Sequence, residues 1–232
     1  MKYVVALLLG LVSGAALFAL GLLYNPFIAD RSLSPLSVTR AETIALNFSP
    51  VPSESIVFTN DGERIHAPNP QKVLQLWEAP IRRTSAMVSL MRNARGESAG
   101  IGIKFSSTSE RTRLFSGEAL TDSVWYVYLP ERGSMFIQQT ENHWQFLRQV
   151  AFPAWRSSGN NWRGTWLGNL TSGPGALGTA RVVGGSGSFR GLEMEAVESL
   201  TVDAFSADVG LVAAEGQLII ALPTQQEPEQ PD

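Results

Sequence analysis

Residues 179–193 read TARVVGGSGSFRGLE, a glycine-rich stretch between two runs of apolar residues. Glycine adopts positive φ without steric cost, so the stretch favours a tight hairpin between residues 180–183 and 192–196. Phe189 is a large apolar side chain inside the turn, and we expect it to anchor the turn on the core. The structural residues predicted for this hairpin are Gly184, Gly185, Gly187, Phe189 and Gly191.

These glycines do not match a phosphate-binding loop. They lack the Gly-Lys-Ser/Thr ending of a P-loop, and the residues that follow have the pattern of a strand. A phosphate site of this type needs a helix N-terminus after the loop. The glycine-rich stretch is therefore interpreted as structural.

Alternation of apolar residues continues on both sides of the hairpin. At residues 44–48, 87–91 and 101–105 one set of side chains recurs at every second position, which is the period of a β-strand. Further candidate strands are residues 55–59, 72–77, 124–129, 135–140, 161–170, 179–183, 192–205 and 211–222. About eight to ten short strands separated by turn-forming residues predict a mainly β, antiparallel domain, either a barrel or a sandwich.

Residues 179–193, together with residues 215–218 (EGQL), resemble the glycine-rich hairpin and closing strand of allene oxide cyclase-like and dirigent-like barrels. The resemblance covers only the C-terminal part of the chain. It implies an eight-stranded antiparallel β-barrel with an apolar cavity. No catalytic residue of either family falls on a matching position, so the resemblance implies the barrel and no activity.

One or two short helices are expected within the β pattern. Residues 142–151 have Asn142 as N-cap, Trp144 and Leu147 on one face, and Pro153 beyond the end. Residues 110–119 are less periodic and are compatible with either a helix or a loop.

Composition excludes several classes of function. The net charge is −3 and there is no long run of Lys or Arg, so we expect no nucleic-acid partner. The chain has no cysteine, which excludes disulfides, thiolate metal sites and a cysteine nucleophile. There is no Gly-x-Ser-x-Gly or His-Glu-x-x-His motif, and two histidines are too few for a multi-histidine metal site. No cofactor or metal ion is expected.

The N-terminal segment is a long apolar run. The twenty residues from Val4 to Leu23 carry no charge and include eight Leu residues. A helix of this length spans about 30 Å, the thickness of the hydrocarbon core of a bilayer. We therefore predict that residues 1–24 are a single-pass membrane anchor. Its short N-terminal tail favours an exported domain, and the absence of cysteine favours a bacterial inner membrane.

Two further readings of this helix remain open. Small residues at Ala19 and Gly21 match the positions that signal peptidase reads, so cleavage after Gly21 would remove the helix, although the run is long for a signal peptide. Ala6, Gly10 and Gly14 form a small-residue stripe through which two helices could pack as a homodimer, although such residues are common in membrane helices.

The chain beyond the anchor divides into three parts. Residues 25–40 contain Pro26 and Pro35 and are predicted to be a linker. Residues 41–223 form the predicted barrel domain. Residues 224–232 are polar, acidic and Pro-containing, so we expect a disordered tail.

Tryptophan points to a candidate binding site. Trp155, Trp162 and Trp166 are close in sequence to Asn161 and Arg163. Aromatic rings beside polar groups can line a pocket for a sugar or an apolar ligand. The alternative is core packing, because alternation places Trp162 and Trp166 on one face of a strand.

Asp61, Glu63 and His66 form a second candidate group, just after a turn. Together they could bind a cation or act as acid and base. An exposed hairpin has the same composition, and this structural interpretation is the favoured one for these residues.

Two classes of function follow from these observations. The first is a membrane-anchored barrel that binds a small apolar or amphiphilic ligand, or a partner protein, at the membrane face. The second is a barrel-type cyclase or isomerase. A cluster of inward-facing ionisable groups favours the enzyme. A cavity of about 300 Å³ with convergent polar groups supports either, and a filled core supports a structural role.

Overall fold

The computed structural model describes residues 2–23, 43–51, 54, 56–59, 65–66, 84–171, 180–192 and 194–222. The strands are β1 (Thr43–Phe48), β2 (Ile56–Thr59), β3 (Ile65–His66), β4 (Thr84–Arg92), β5 (Ser98–Thr108), β6 (Leu120–Leu129), β7 (Gly133–Asn142), β8 (Asn161–Asn169), β9 (Ala180–Gly185), β10 (Met194–Ser206) and β11 (Gly210–Ala221). The helices are α1 (Lys2–Leu23), α2 (Trp144–Phe146) and α3 (Phe152–Arg156). A π-helical turn at Leu147–Ala151 joins α2 to α3, and 3-10 turns lie at Leu114–Ser116 and Gly187–Phe189.

Eight strands close into an antiparallel barrel. Their order is β1, β11, β10, β9, β7, β6, β5 and β4, and β4 returns to β1 through the pair Asn47 and Arg92. Strands β2 and β3 continue the sheet beyond β4, whereas β8 pairs with β10. The predicted antiparallel β-barrel is therefore confirmed.

Strand β10 is long enough to pair with two different strands along the same edge. Residues 194–196 pair with β9, and residues 199–206 pair with β8. The register shifts between Val202 and Ala204, which marks a bulge in β10. A bulge bends a strand and increases its twist, so it allows β10 to leave the barrel wall and carry β8.

Apolar side chains fill the half of the barrel that extends towards the β6–β7 turn. Trp125, Met91 and Met135 are fully buried there. Gly102 makes room for two of them, because a Cβ at this position would lie 2.0 Å from Met91 Cε and 2.9 Å from the Trp125 ring. We call this half the apolar end of the barrel.

The glycine-rich hairpin closes the apolar end. Phe189 is 1% exposed and belongs to the apolar core. Gly187 has a φ of 61°, and a Cβ at this position would lie 2.4 Å from the carbonyl oxygen of Arg132. The N–H of Ser188 donates to the same oxygen at 2.8 Å. The hairpin therefore packs directly on the β6–β7 turn.

Strand β5 has its apolar side chains on the outside. Ile101 and Phe105 are about half exposed, whereas Gly100, Gly102 and Lys104 are buried. The reason is packing, since Gly102 leaves the space that Trp125 and Met91 occupy, and Gly100 lies against Leu129 and the Tyr128 carbonyl. The outer wall of β5, β6 and β7 is consequently apolar, with Tyr128 and Phe136 also exposed.

The helical segment after β7 forms a second, smaller core with β8 and β10. Val150 and Val202 are fully buried in it, and Phe146 packs edge-to-face on Trp166 with ring centroids 5.4 Å apart. The predicted end of this helix at residue 151 is wrong, because the helical segment continues to Arg156. Pro153 is tolerated since it lies in the first turn of α3, where no backbone N–H is required.

The helix considered for residues 110–119 is not formed. Within this stretch the chain makes only the 3-10 turn Leu114–Ser116 and a bridge between Arg113 and Glu118. The predicted linker at residues 25–40, the strand at residues 72–77, Asp61, Glu63 and the tail at residues 224–232 lie outside the described residues, while His66 ends β3.

Helix α1 contains the segment from Val4 to Leu23. Its large apolar side chains, where they are described, are exposed, including Leu7, Leu11 and Leu17. In the part of the chain that the structure describes, no helix is found that is long and apolar enough to cross a membrane. Membrane attachment through this segment is not supported by the structure and stays a prediction.

Candidate functional site

A network of buried polar side chains lies inside the barrel, beyond the apolar half. Strand alternation turns all of its members inward from β5, β6, β7 and β10. We call it the buried network, and the half that holds it the polar end. Its members are Lys104, Ser123, Trp125, Gln139, Glu141 and Glu198.

Lys104 is the cation at the centre of the network. Its Nζ lies 2.8 Å from Glu141 Oε1 and 2.7 Å from Glu198 Oε1, with Glu198 Oε2 at 3.0 Å. The residue is only 8% exposed, so water contributes little to its solvation. One ammonium group therefore bridges two buried carboxylates.

The Glu198 carboxylate accepts hydrogen bonds from three nitrogen donors in the barrel interior. The donors are Lys104 Nζ, Trp125 Nε1 at 2.8 Å and Gln139 Nε2. Both carboxylate oxygens of Glu198 therefore face N–H donors. Its backbone N–H donates to Thr171 Oγ1 at 2.6 Å, which ties β10 to the segment that follows β8.

Glu141 connects the network to solvent. Its Oε1 accepts from Lys104, from Gln139 Nε2 at 2.9 Å and from Ser123 Oγ. Its Oε2 faces His143 Nε2 at 3.1 Å, and the His143 side chain is 29% exposed. His143 is therefore a partly exposed side chain in direct contact with the buried network.

The charges in the network stabilise one another. Burial alone lowers the pKa of Lys104, but the charges of Glu141 and Glu198 and their hydrogen bonds outweigh it and raise that pKa above its ordinary value. Burial alone raises the pKa of Glu141, yet the Lys104 ammonium and the His143 hydrogen bond hold it well below its usual range. Both groups stay ionised at neutral pH.

Two buried polar atoms next to this network have no partner among the described residues. They are the acceptor Gln139 Oε1 and the donor Trp144 Nε1. The Gln139 amide orientation is determined by its Nε2, which donates to both carboxylates. Its Oε1 is therefore an unused acceptor beside two anions, an arrangement that costs free energy unless something donates to it.

The predicted tryptophan site is distributed over two surfaces. Trp162 and Trp166 lie on the inner face of β8 in the second core, and Trp166 Nε1 donates to Gln149 at 2.8 Å. Asn161 and Arg163 are exposed on β8, on the opposite face. Trp155 is exposed on α3. The structure does not bring these side chains together in one pocket.

A pocket of about 210 Å³ lies on the outside of the barrel wall. Its lining includes the exposed side chains of Phe105, Val124 and Gln138. Ser123 and Gln139 also line it, but their side chains bond to the inward carboxylates, so they contribute backbone. The strand wall therefore separates this pocket from the buried network.

Sequence reasoning missed the charged members of the network. Glu198 lies at an even position between the buried residues Ala196 and Leu200, so it continues the inward phase of β10. Glu141 continues the inward phase of β7 in the same way, after Met135 and Ile137. A charge that interrupts a run of inward apolar positions is the signal that identifies such residues.

Comparison with known proteins gives weak structural similarity. No protein-family model and no curated protein matches the chain. The pterocarpan synthase dirigent protein PsPTS1 is 11% identical with a TM-score of 0.42, covering 78% of this chain and 94% of that chain. GePTS1, another pterocarpan synthase dirigent protein, is 10% identical with a TM-score of 0.41, and the match covers 81% of this chain and 88% of that chain.

A nonspecific heme-binding cyclase of neoabyssomicin biosynthesis is also similar. It is 8% identical with a TM-score of 0.37, and the match covers 82% of this chain and 74% of that chain. The weak resemblance to dirigent-like and cyclase-like barrels is confirmed. These similarities concern the barrel fold alone, and no ligand or reaction is assigned to this chain from them.

Proposed function

We propose that this chain is a small-ligand-binding β-barrel whose polar end receives the polar group of an amphiphilic ligand. The observation that carries this proposal is the inward-facing network of Lys104, Glu141 and Glu198, which reaches the surface at His143. Clusters of ionisable side chains with strongly shifted pKa values are concentrated at binding and catalytic sites.

Stability alone is a weak reason for such a network. Replacing a buried ion pair with packed apolar side chains is often neutral or stabilising, because desolvation offsets the attraction between the charges. The apolar end of the same barrel shows that apolar packing is available here. An unpaired acceptor at Gln139 Oε1 adds a further cost. Ligand binding accounts for both features.

A second candidate is a barrel-type cyclase or isomerase. It is favoured by the ionisable side chains that point inward. Glu141 is held ionised, so it suits stabilisation of positive charge in a reacting substrate better than proton donation. His143, at the surface of the network, contacts Glu141 and is partly exposed to solvent.

The test is native mass spectrometry of the full chain purified from its host, followed by identification of any small molecule released. We expect a molecule to be retained by the wild type and by Asp122→Asn, and to be lost from Glu141→Gln. Asp122 is the matched control because its carboxylate lies outside the barrel, paired with Arg111 at 2.8 Å.

A wild-type protein without any bound small molecule would contradict the proposal, as would equal retention by Glu141→Gln. Circular dichroism of each variant shows whether the barrel is folded. For the enzyme, the released molecule is offered back to the protein and its conversion is followed; unchanged recovery would exclude it as a substrate.

For helix α1 we propose attachment to a bacterial inner membrane, with the barrel exported. The support is the uncharged sequence from Val4 to Leu23 and the exposure of its described side chains. Exposed apolar surface costs about 25 cal/mol per Å² in water, so burial of this helix in a lipid bilayer would be favourable. Membrane fractionation and N-terminal sequencing test this, and a soluble product beginning at Leu22 would contradict it.

The homodimer predicted through Ala6, Gly10 and Gly14 stays a prediction. A Cβ added at Gly10 or Gly14 would meet nothing within 4 Å, so this stripe is open to a second helix. Gly14→Leu is expected to abolish a crosslinked dimer in membranes, and a dimer that persists in this variant would refute the helix contact.

A further inference from the structure

We infer that the polar end selects ligands that carry a positively charged nitrogen, which takes the place of His143 on Glu141. This inference rests on the proposed ligand-binding function and names the class of ligand. It is carried by three features of the buried network: its charge count, its unused acceptor Gln139 Oε1 and the position of His143.

The charge count leaves the network one positive charge short. Glu141 and Glu198 are two carboxylates, and Lys104 is the ammonium group that they share. His143, the remaining ionic neighbour of Glu141, is a cation only when protonated. A cationic ligand on Glu141 would complete a neutral cluster, whereas an anionic ligand would add to the excess of negative charge.

Gln139, which donates to both carboxylates, also carries an unused acceptor. Gln139 Oε1 has no donor among the described residues, and Gln139 is only 2% exposed. Glu141 Oε2 receives a hydrogen bond from His143, whereas its Oε1 is shared by three donors. An ammonium group provides three donors and no acceptor, so it could donate to Gln139 Oε1 and to Glu141 Oε2, whereas Trp144 Nε1, the other buried atom without a partner in the described part of the chain, is a donor that it would leave unchanged.

His143 is placed to leave without disturbing the barrel. Its backbone N–H donates to the Ala119 carbonyl at 2.9 Å, and the helical segment that follows begins at the next residue. Its imidazole is the part that contacts Glu141, and it is partly exposed. Rotation of this one side chain would uncover Glu141 Oε2 while the backbone contacts remain.

The experiment uses three probes of equal chain length on the purified full chain: n-hexylammonium, n-hexanol and n-hexanoate. Binding is measured by isothermal titration calorimetry at neutral pH. We expect hexylammonium to bind at least about ten-fold more tightly than either other probe, as one charge-assisted hydrogen bond implies. Equal affinities, or tighter binding of hexanoate, would overturn the inference.

Variants test whether the preference comes from this site. Glu141→Gln is expected to reduce hexylammonium affinity at least about ten-fold, and Asp122→Asn to leave it unchanged. His143→Ala removes the competitor for Glu141 Oε2, so it is expected to tighten binding. A purely structural role of the network would give no gain in His143→Ala, and this partly exposed position keeps the test valid if Glu141→Gln does not fold.

The outcomes separate this inference from the function on which it rests. If hexanol or hexanoate binds through Glu141 and hexylammonium does not, ligand binding stands and the charge selectivity is wrong. If no probe binds but a neutral or anionic molecule is released from the native protein, the selectivity is again wrong. If no probe binds and no molecule is released, both proposals are wrong.

Discussion

Replacement of Lys104 by Met tests the buried network most directly. The substitution keeps a long unbranched side chain and removes the ammonium that bridges Glu141 and Glu198. The two carboxylates then remain buried with no cation between them, while Trp125 and Gln139 continue to donate to Glu198. We therefore expect a large decrease in the free energy of unfolding of the whole barrel.

The size of the effect follows from the contacts of Nζ, which lies 2.8, 2.7 and 3.0 Å from three carboxylate oxygens. A hydrogen bond to a charged group contributes about 1.5–3 kcal/mol, so three contacts that share two carboxylates imply a loss of about 3–6 kcal/mol. Removing one partner of a buried ion pair costs about 3–5 kcal/mol, which agrees. A typical domain has only about 5–15 kcal/mol of stability.

Urea unfolding followed by tryptophan fluorescence is a suitable assay, because Trp125 is fully buried beside the network. The matched variant adds Glu141→Gln and Glu198→Gln to Lys104→Met, so that no uncompensated charge remains. It should recover most of the loss, since neutral replacement of a whole buried ion cluster is often tolerated. A loss below about 1 kcal/mol in Lys104→Met, or no recovery in the triple variant, would refute the reasoning.

Three further predictions use the same unfolding assay. Gly102→Ala should destabilise the barrel by about 1–3 kcal/mol through overpacking, whereas Gly184→Ala, where a Cβ meets nothing within 4 Å, should change stability by less than about 0.5 kcal/mol; equal effects would contradict the packing argument. Phe189→Ala should cost about 3–5 kcal/mol, and a loss below about 1 kcal/mol would mean that the hairpin does not anchor the core. The lowered pKa of Glu141 contributes stability above pH 4.5 that is lost on acidification, and the raised pKa of Lys104 contributes stability below pH 10.5 that is lost as pH rises beyond it. A pH titration of the free energy of unfolding should therefore show both losses in the wild type and smaller ones in the triple variant, and identical curves would refute the assignment.

Local pattern predicted the strands well, because burial of one face imposes a period of two. Residues 44–48 and 87–91 lie in β1 and β4, and the glycine-rich stretch forms a hairpin, with Phe189 inside. Closure of the barrel through a single pair between β1 and β4 depends on contacts far apart in sequence. Periodicity within one strand cannot reveal such a pairing.

The buried network could not be read from composition. On β5 the usual rule is reversed, since Ile101 and Phe105 face outward and Lys104 faces inward. The Trp125 ring on the neighbouring strand lies over Gly102, diagonally across the strand pair, and leaves no room for a side chain there. The cluster itself needs three strands to bring Lys104, Glu141 and Glu198 within hydrogen-bonding distance.

The hairpin packed on the β6–β7 turn closes one end of the barrel. Phe189 fills this end of the barrel, and the hydrogen bond from the Ser188 N–H to the Arg132 carbonyl holds the hairpin against the turn. If the polar end binds a ligand as proposed, the ligand would enter and leave at that end, so a bound molecule would have to dissociate before another could bind. The rate of ligand exchange would then equal the first-order dissociation rate and would not increase with the concentration of free ligand. In a channel open at both ends, by contrast, a second ligand could enter before the first has left.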